Sequence, residues 1–294
     1  MADKTGQADI RGIDIDKLVK GFADEEIIMK RYVNVTNTSA REIRWYQKTA
    51  GFLDSEDTSG ITASKIGPAA ELALPVVVGQ SWTRTTSYVR KYIVESKTIS
   101  MEDIKDSDVD VLATTVRDLV RAVAHQVDTR IWNVITESQS ASNINSVTIT
   151  NEWDDYSNAT PIIDILNAKR LIRNQSYDPE GAILMLNPNE LTYLTNWLIN
   201  TKGASIPQFA SRKVVDGTVL EILGLNVVVS TIVTADYAAV FVPNRAATWK
   251  SFVPISSTVI DDPGIGKKIR VWEEGEAILH DPKAVTLLSN VGPS

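Results

Sequence analysis

Apolar and polar positions change rhythm several times along the 294-residue chain. Residues 1 to about 30 start polar and charged and become mixed in IDIDKLVKGFADEEIIMKRY, which predicts an extended arm over 1–39 with one short helix. Two strand-like runs follow, REIRWYQKTAGFL from Arg41 to Leu53 and ALPVVVGQSWTRTTSYVRKYIVESKTI from Ala73 to Ile99. In the second, Trp82, Arg84, Thr86, Tyr88, Arg90, Tyr92 and Val94 form one alternating row, the period of a strand. Together they predict a long ribbon over 40–98, with the Ser-, Gly- and Asp-rich DSEDTSGITASKIGPAAE as its tip. An isolated two-stranded ribbon is marginal in water. Something must cover this one, either another part of the same chain or a neighbouring copy.

Ser100, followed by Met101, Glu102 and Asp103, reads as a helix N-cap with acids in the first turn. From Ser107 to Glu137 there is neither Gly nor Pro. Val109, Leu112, Val116, Leu119, Val120, Val123, Val127, Ile131, Val134 and Ile135 recur at steps of three and four, painting one apolar stripe. This predicts a helix over 107–137, roughly 46 Å long at about 1.5 Å per residue. Strict heptads are not sustained, so a coiled coil is not the reading. The helix and its flanks, 99–149, form one unit.

Residues 138–160 are a Ser- and Asn-rich connection with a short strand at Val147 to Thr150. Beyond it the pattern is helix (PIIDILNAKRLIRNQ), strand (AILMLN), helix (PNELTYLTNWLI) and strands near GLNVVVS and YAAVFVP, a compact α+β unit over 150–243. Pro161 and Pro188 stand where helix starts tolerate proline. Thr201 to Gly217 reads as a long exposed loop, and loops of that length are usually functional or disordered. The last segment, 244–294, is strand-rich (ATWKSFV, STVIDD, KKIRVWEEGEAILHD, AVTLLSN) and carries the turn DDPGIGKK. Its strands are expected in the sheet of the ribbon ends, packed on the long helix.

Composition narrows the function. The 43% apolar and 23% charged fractions are those of a folded globular protein, and no run approaches the about 18 apolar residues of a membrane span. The opening MADKTGQADIRG has no export-signal pattern. With no cysteine there is no disulfide or thiolate chemistry, which fits synthesis in a reducing cytoplasm and leaves the Asn-x-Ser/Thr matches at Asn34, Asn37, Asn158 and Asn174 little weight. A net charge of −7 argues against a protein built to grip nucleic acid, though not against a surface that merely faces it.

The chemistry searched for is not found. His125 and His280 are the only histidines and read as ordinary helix-surface and turn residues. Asp106, Asp108 and Asp110 have the spacing of a calcium loop, but Val111 and Arg117 occupy its Gly and Glu places, and acids suit a helix start. GIGKK at 264–268 is not a phosphate loop, because position 261 is aspartate. No catalytic, cofactor-binding or metal-binding residue is expected. The seven tryptophans point to contacts instead: several lie on extended segments, although core burial is the ordinary fate of most.

The order of elements resembles the HK97-type major capsid protein of tailed phages and related viruses, over about residues 25–290. SMEDIKDSDVDVLATTVRDLVRAVAHQVDTRIWNVI, AILMLNPNELTYL, LEILGLNVVVS and VWEEGEAILHDPKAVTLL carry the likeness by their order. The resemblance implies an α+β fold with an N-terminal arm, an extended ribbon loop over a neighbouring subunit, a peripheral domain with a spine helix at 107–137, and an axial domain at 150–243. It implies self-assembly as hexamers and pentamers into an icosahedral shell around double-stranded DNA, without sequence-specific binding, a membrane or a cofactor. The protein would be made in the host cytoplasm and reside in the virion. Scaffolding, portal or decoration proteins are implied partners. With only some 25 residues before the first structured element, any scaffold is expected to be a separate protein.

Contact residues follow from this reading. Trp82, Tyr88 and Tyr92 are the expected anchors on the ribbon row, with Arg84 and Arg90 as partners for acids on a neighbour. Pro207 and Arg212 lie in the loop expected at the capsomer centre, and Asp262, Gly264, Gly266, Lys267 and Lys268 in a turn expected near a local threefold. Lys65 sits where the family's crosslinked branch carries its lysine, but nothing identifies an acceptor asparagine, so no crosslink is expected. Two alternatives stay open: an encapsulin-like compartment shell with the same fold, and a hydrolase on an α+β scaffold.

Overall fold

A computed structural model describes residues 27–48, 82–106, 111–155, 157–199 and 221–293, together with positions 19, 54–55, 68, 71–72, 74 and 78–79. The strands in chain order are β1 (Asn34–Asn37), β2 (Glu42–Lys48), β3 (Asp54–Ser55), β4 (Val78–Gly79), β5 (Trp82–Tyr88), β6 (Arg90–Glu95), β7 (Ile99–Ser100), β8 (Asn145–Thr148), β9 (Ile183–Leu186), β10 (Glu221–Ile222), β11 (Leu225–Val229), β12 (Tyr237–Phe241), β13 (Ala247–Asp262), β14 (Gly266–Leu279) and β15 (Val285–Ser289). The α-helices whose bounds fall within the described residues are α1 (Met101–Asp106), α2 (Val111–Ile135), α3 (Pro161–Asn174) and α4 (Pro188–Trp197).

Helix α2 forms because its apolar residues fall on one side, and it is long because nothing interrupts them. Val116, Leu119, Val120, Val123, Val127, Ile131 and Ile135 of the expected stripe are buried, joined by Ala124, Trp132 and Asp128. Its 25 residues run about 37 Å across β14 and β6. The helix ends two residues before the expected Glu137. Glu137, Ser138 and Gln139 all have positive φ, and the Glu137 carboxylate accepts the Asn143 backbone N–H at 2.7 Å and the Asn143 Nδ2–H at 2.7 Å. A side chain that could have extended the helix instead satisfies the turn after it. At the other end the Ser100 hydroxyl accepts the Asp103 N–H at 3.0 Å, as an N-cap of α1 does.

Two sheets share one core. The first has the order β1-β13-β14-β6, with β7 also on β14, and β1 parallel to β13. Residues 34–37, read as arm, are therefore an edge strand. The second has the order β10-β11-β9-β12-β15-β8, with α3 against β15 and β8 and α4 against β9. The Asn187 side chain accepts the Asn189 N–H at 3.2 Å and caps α4, with Pro188 in the first turn. Strands β15 and β8, read from sequence as companions of the long helix, lie side by side in this second sheet. Chain continuity suggested the first grouping, and sheet pairing decides otherwise.

The ribbon strands do pair, β2 antiparallel to β5 from Glu42↔Tyr88 to Lys48↔Trp82. The alternating row from Trp82 to Val94 is not one ribbon strand, however. At Val89, whose N–H donates to Arg41 O at 2.9 Å, the chain changes partner, and β6 pairs with β14. Alternation is the same whatever strand lies alongside, so the row gave no sign of the change.

Candidate functional site

Residues directly opposite across a ladder put their side chains on the same face. The β2–β5 register therefore divides the ribbon base into two unlike surfaces. One carries Ile43, Trp45 and Gln47 with Thr83, Thr85 and Ser87. Ile43 and Gln47 are buried, Trp45 Nε1 donates to Ser87 Oγ at 3.0 Å, and the Trp45 ring meets His280 edge-on at 5.9 Å between centroids. The chain itself covers the middle of this face, although Thr83 at its end is exposed. The other carries Arg44, Tyr46, Trp82, Arg84, Thr86 and Tyr88. Tyr46, Trp82 and Tyr88 remain 56%, 50% and 65% exposed, an unusual outlay of aromatic surface. Arg44 Nε reaches Glu42 Oε1 at 2.7 Å on this face, which raises the already high pKa of the guanidinium.

Trp82, Arg84 and Tyr88 thus lie together on one open face. Arg90 and Tyr92 do not join them. Arg90 Nε stands 3.1 Å from Glu276 Oε2 of the same chain. Tyr92 packs against Trp249 at 6.4 Å between ring centroids, and burial pushes its phenol up to about 12.

Of the residues expected in the turn, only Gly264 lies in it: Asp262 ends β13, and Gly266, Lys267 and Lys268 open β14 beside β7. Gly266 pairs with Ser100 and Lys267 with Ile99, and a Cβ at Gly266 would stand 2.0 Å from Ile99 O. Only a glycine admits that approach. Ile265 at the tip is 59% exposed. Lys65, Pro207 and Arg212, the arm before residue 27 and the loop from 201 to 217 lie outside the described residues. His125 lines a groove of about 750 Å³ between α2 and β6, with Asp118, Arg121 and Gln126. Among the described residues no helix is long and apolar enough to cross a membrane.

A second constellation was not singled out from the sequence. Glu273, Glu274 and Glu276 of β14 are all buried. Glu273 pairs with Lys30, Glu274 with Arg41 at 3.2 Å and Lys91 at 3.3 Å, and Glu276 with Arg90 and with Arg130 Nε at 2.9 Å. Beside them Asp128 Oδ2 accepts the Ile28 N–H at 2.8 Å, and burial raises the Asp128 carboxyl above its ordinary value. Carboxylates out of water require such partners.

Residues 83–287, more than half of the chain, match the model of the phage capsid protein family. The chain belongs to that family. As a capsid protein it is a shell-forming structural subunit, and the match favours the phage reading over the compartment reading. The fold is the expected HK97-type α+β fold. It is similar to that in the crystal structure of a virus-like particle from Pyrococcus furiosus, with a TM-score of 0.63 and 12% identity over 95% of this chain and 99% of that one. The capsid of cyanophage P-SCSP1u gives 0.65 and 14% over 91% and 89%. The mature capsid of bacteriophage PhiM1 gives 0.61 and 12% over 90% and 86%. No curated protein sequence matches the chain.

The open ribbon face of this capsid subunit is wider than the sequence row indicated. Arg44 and Tyr46 belong to it as fully as the residues expected from β5. They escaped notice because their strand shows no long alternating row, and only the register sets them beside Trp82, Arg84 and Tyr88.

Proposed function

We propose that this capsid protein closes into an icosahedral shell around double-stranded DNA, in hexamers and pentamers whose members overlap through the ribbon. The supporting observation is the asymmetry of the ribbon base: its own chain buries Ile43 and Gln47 on one face, while Arg44, Tyr46, Trp82, Arg84 and Tyr88 stand open on the other. Aromatic and Arg side chains are the types that anchor protein contacts. Each contact can be modest, because closure makes many of them act together. The turn at 261–268, with exposed Ile265, and the loop containing Pro207 and Arg212 serve as further contacts. Lys65, expected in the ribbon loop, is not given a crosslinking role. Scaffolding, portal or decoration proteins of the virus are the expected partners, the virion is the site of residence, and the chain is made in the host cytoplasm. Electron microscopy of the purified protein tests the reading. Closed particles or capsomer rings support it, as does failure to assemble after deletion of residues 55–70. A stable monomer under all assembly conditions, with or without scaffold, sinks it.

A further inference from the structure

The β13–β14 hairpin is irregular at two adjacent places, the second between Val253 and Ser256. Its register shifts between Ser251 and Val253, leaving Phe252 as an extra residue on β13, and a bulge of this kind re-aims side chains. On the facing strand stands Gly275, where an added Cβ would lie 2.3 Å from Trp249 Cζ2. Glu273, Glu274 and Glu276 flank that glycine. Their cations come from different parts of the chain: Lys30 from the segment before β1, Arg41 from the entry to the ribbon, Arg90 and Lys91 from β6, and Arg130 from the spine helix α2. The bulge and the three acids thus form the joint where arm, ribbon, sheet and spine meet.

Arg41 occupies the critical place in this joint. It immediately precedes β2, and its carbonyl accepts the Val89 N–H that closes the ribbon. Its guanidinium stands 4.9 Å from the centroid of the Phe252 ring and 3.2 Å from Glu274. The Glu274 side chain is nearly inaccessible, whereas that of Arg41 is 68% exposed. The acid is thus fixed in the body, and the arginine is tied down by what it touches there. A seven-residue strand spans about 23 Å. A tilt of about 10° at its root would therefore displace its far end by about 4 Å, enough to change which neighbouring side chains meet.

We propose that Arg41 and Glu274 are the positioning pair of this subunit: by holding the ribbon at one angle to the β13–β14 hairpin, they set the curvature at which copies join. The proposal rests on the reading of the ribbon as a contact with a neighbouring copy. Lys91 makes it testable without unfolding the chain, because it keeps Glu274 paired when Arg41 is removed. The test compares the full chain with Arg41→Ala and Arg41→Lys, under conditions where the unaltered protein closes into particles. Arg41→Ala is expected to melt within about 3 °C of the unaltered chain and to exchange the Val89 amide several-fold faster as the unassembled subunit. Its share of particles at the main diameter should fall at least about twofold, with Arg41→Lys restoring part of the loss. Uniform particles from Arg41→Ala, while deletion of residues 55–70 blocks assembly, overturn the pair and leave the ribbon reading standing. If the deletion itself leaves assembly unchanged, the ribbon reading fails and the pair with it.

Discussion

The Trp45 indole meets the His280 imidazole edge-on, 5.9 Å between centroids, and joins the inner face of the ribbon to the end of β14. The imidazole is partly dehydrated there, which disfavours its charged form. Burial pushes the His280 pKa below its ordinary 6.5 and Lys250 adds to this, while the Tyr46 backbone hydrogen bond and Asp281 oppose it. A depressed pKa in the folded state makes a contribution that is present above 6.5 and is lost as pH falls through the folded value. The urea midpoint should therefore fall on mild acidification, and His280→Gln should flatten that part of the profile. An unchanged slope in the variant would remove His280 from the account.

Trp82→Ala and Tyr88→Ala separate folding from assembly. Both residues are half-exposed or more, so stability should change by no more than about 0.5 kcal/mol, as for surface substitutions generally. Each should nevertheless weaken an intersubunit contact by about 1–2 kcal/mol. The concentration needed for assembly, followed by light scattering, should rise by an order of magnitude or more. Thr83→Ala, on the opposite face of the ladder, is the control.

Gly266→Ala should be costly although the position is at the very start of β14. The new methyl would be driven against Ile99 O, and the forced shift should destabilise the chain by about 1–3 kcal/mol in chemical denaturation. A neutral result would mean that this end of β14 moves freely from β7.

Glu137→Ala should cost about 1–3 kcal/mol, the range for hydrogen bonds to a charged group, because Asn143 loses its acceptor for both backbone and side chain. If Glu137 were instead merely the last residue of the helix, alanine, the better helix former, would be neutral or stabilising.

The long helix was legible because its stripe from Val116 to Ile135 is written in steps of three and four, a local signal. Its end was not legible. Glu137 suits a helix, and its acceptor role depends on how residues 138–144 return to it. The ribbon row was legible in the same way and misled in the same way: Trp82 and Tyr92 share one alternation, yet Trp82 is exposed on β5 and Tyr92 packs against Trp249. Glu273, Glu274 and Glu276 looked like ordinary charges in a strand. Their counter-charges, Lys30, Arg41, Lys91 and Arg130, are scattered far along the chain.

By itself the sequence determined the spine helix, the strands of the ribbon, the α+β order and the capsid resemblance, since side-chain periodicity and the order of elements travel with the local chain. Only the tertiary structure decided that β8 and β15 share a sheet, that Tyr46 stands opposite Arg84, and that Arg41 reaches Glu274. These are matters of register and long-range pairing. A ladder's register follows from which hydrogen bonds and buried faces are satisfied across the whole fold, and a shift of one residue would turn the open aromatic face inward.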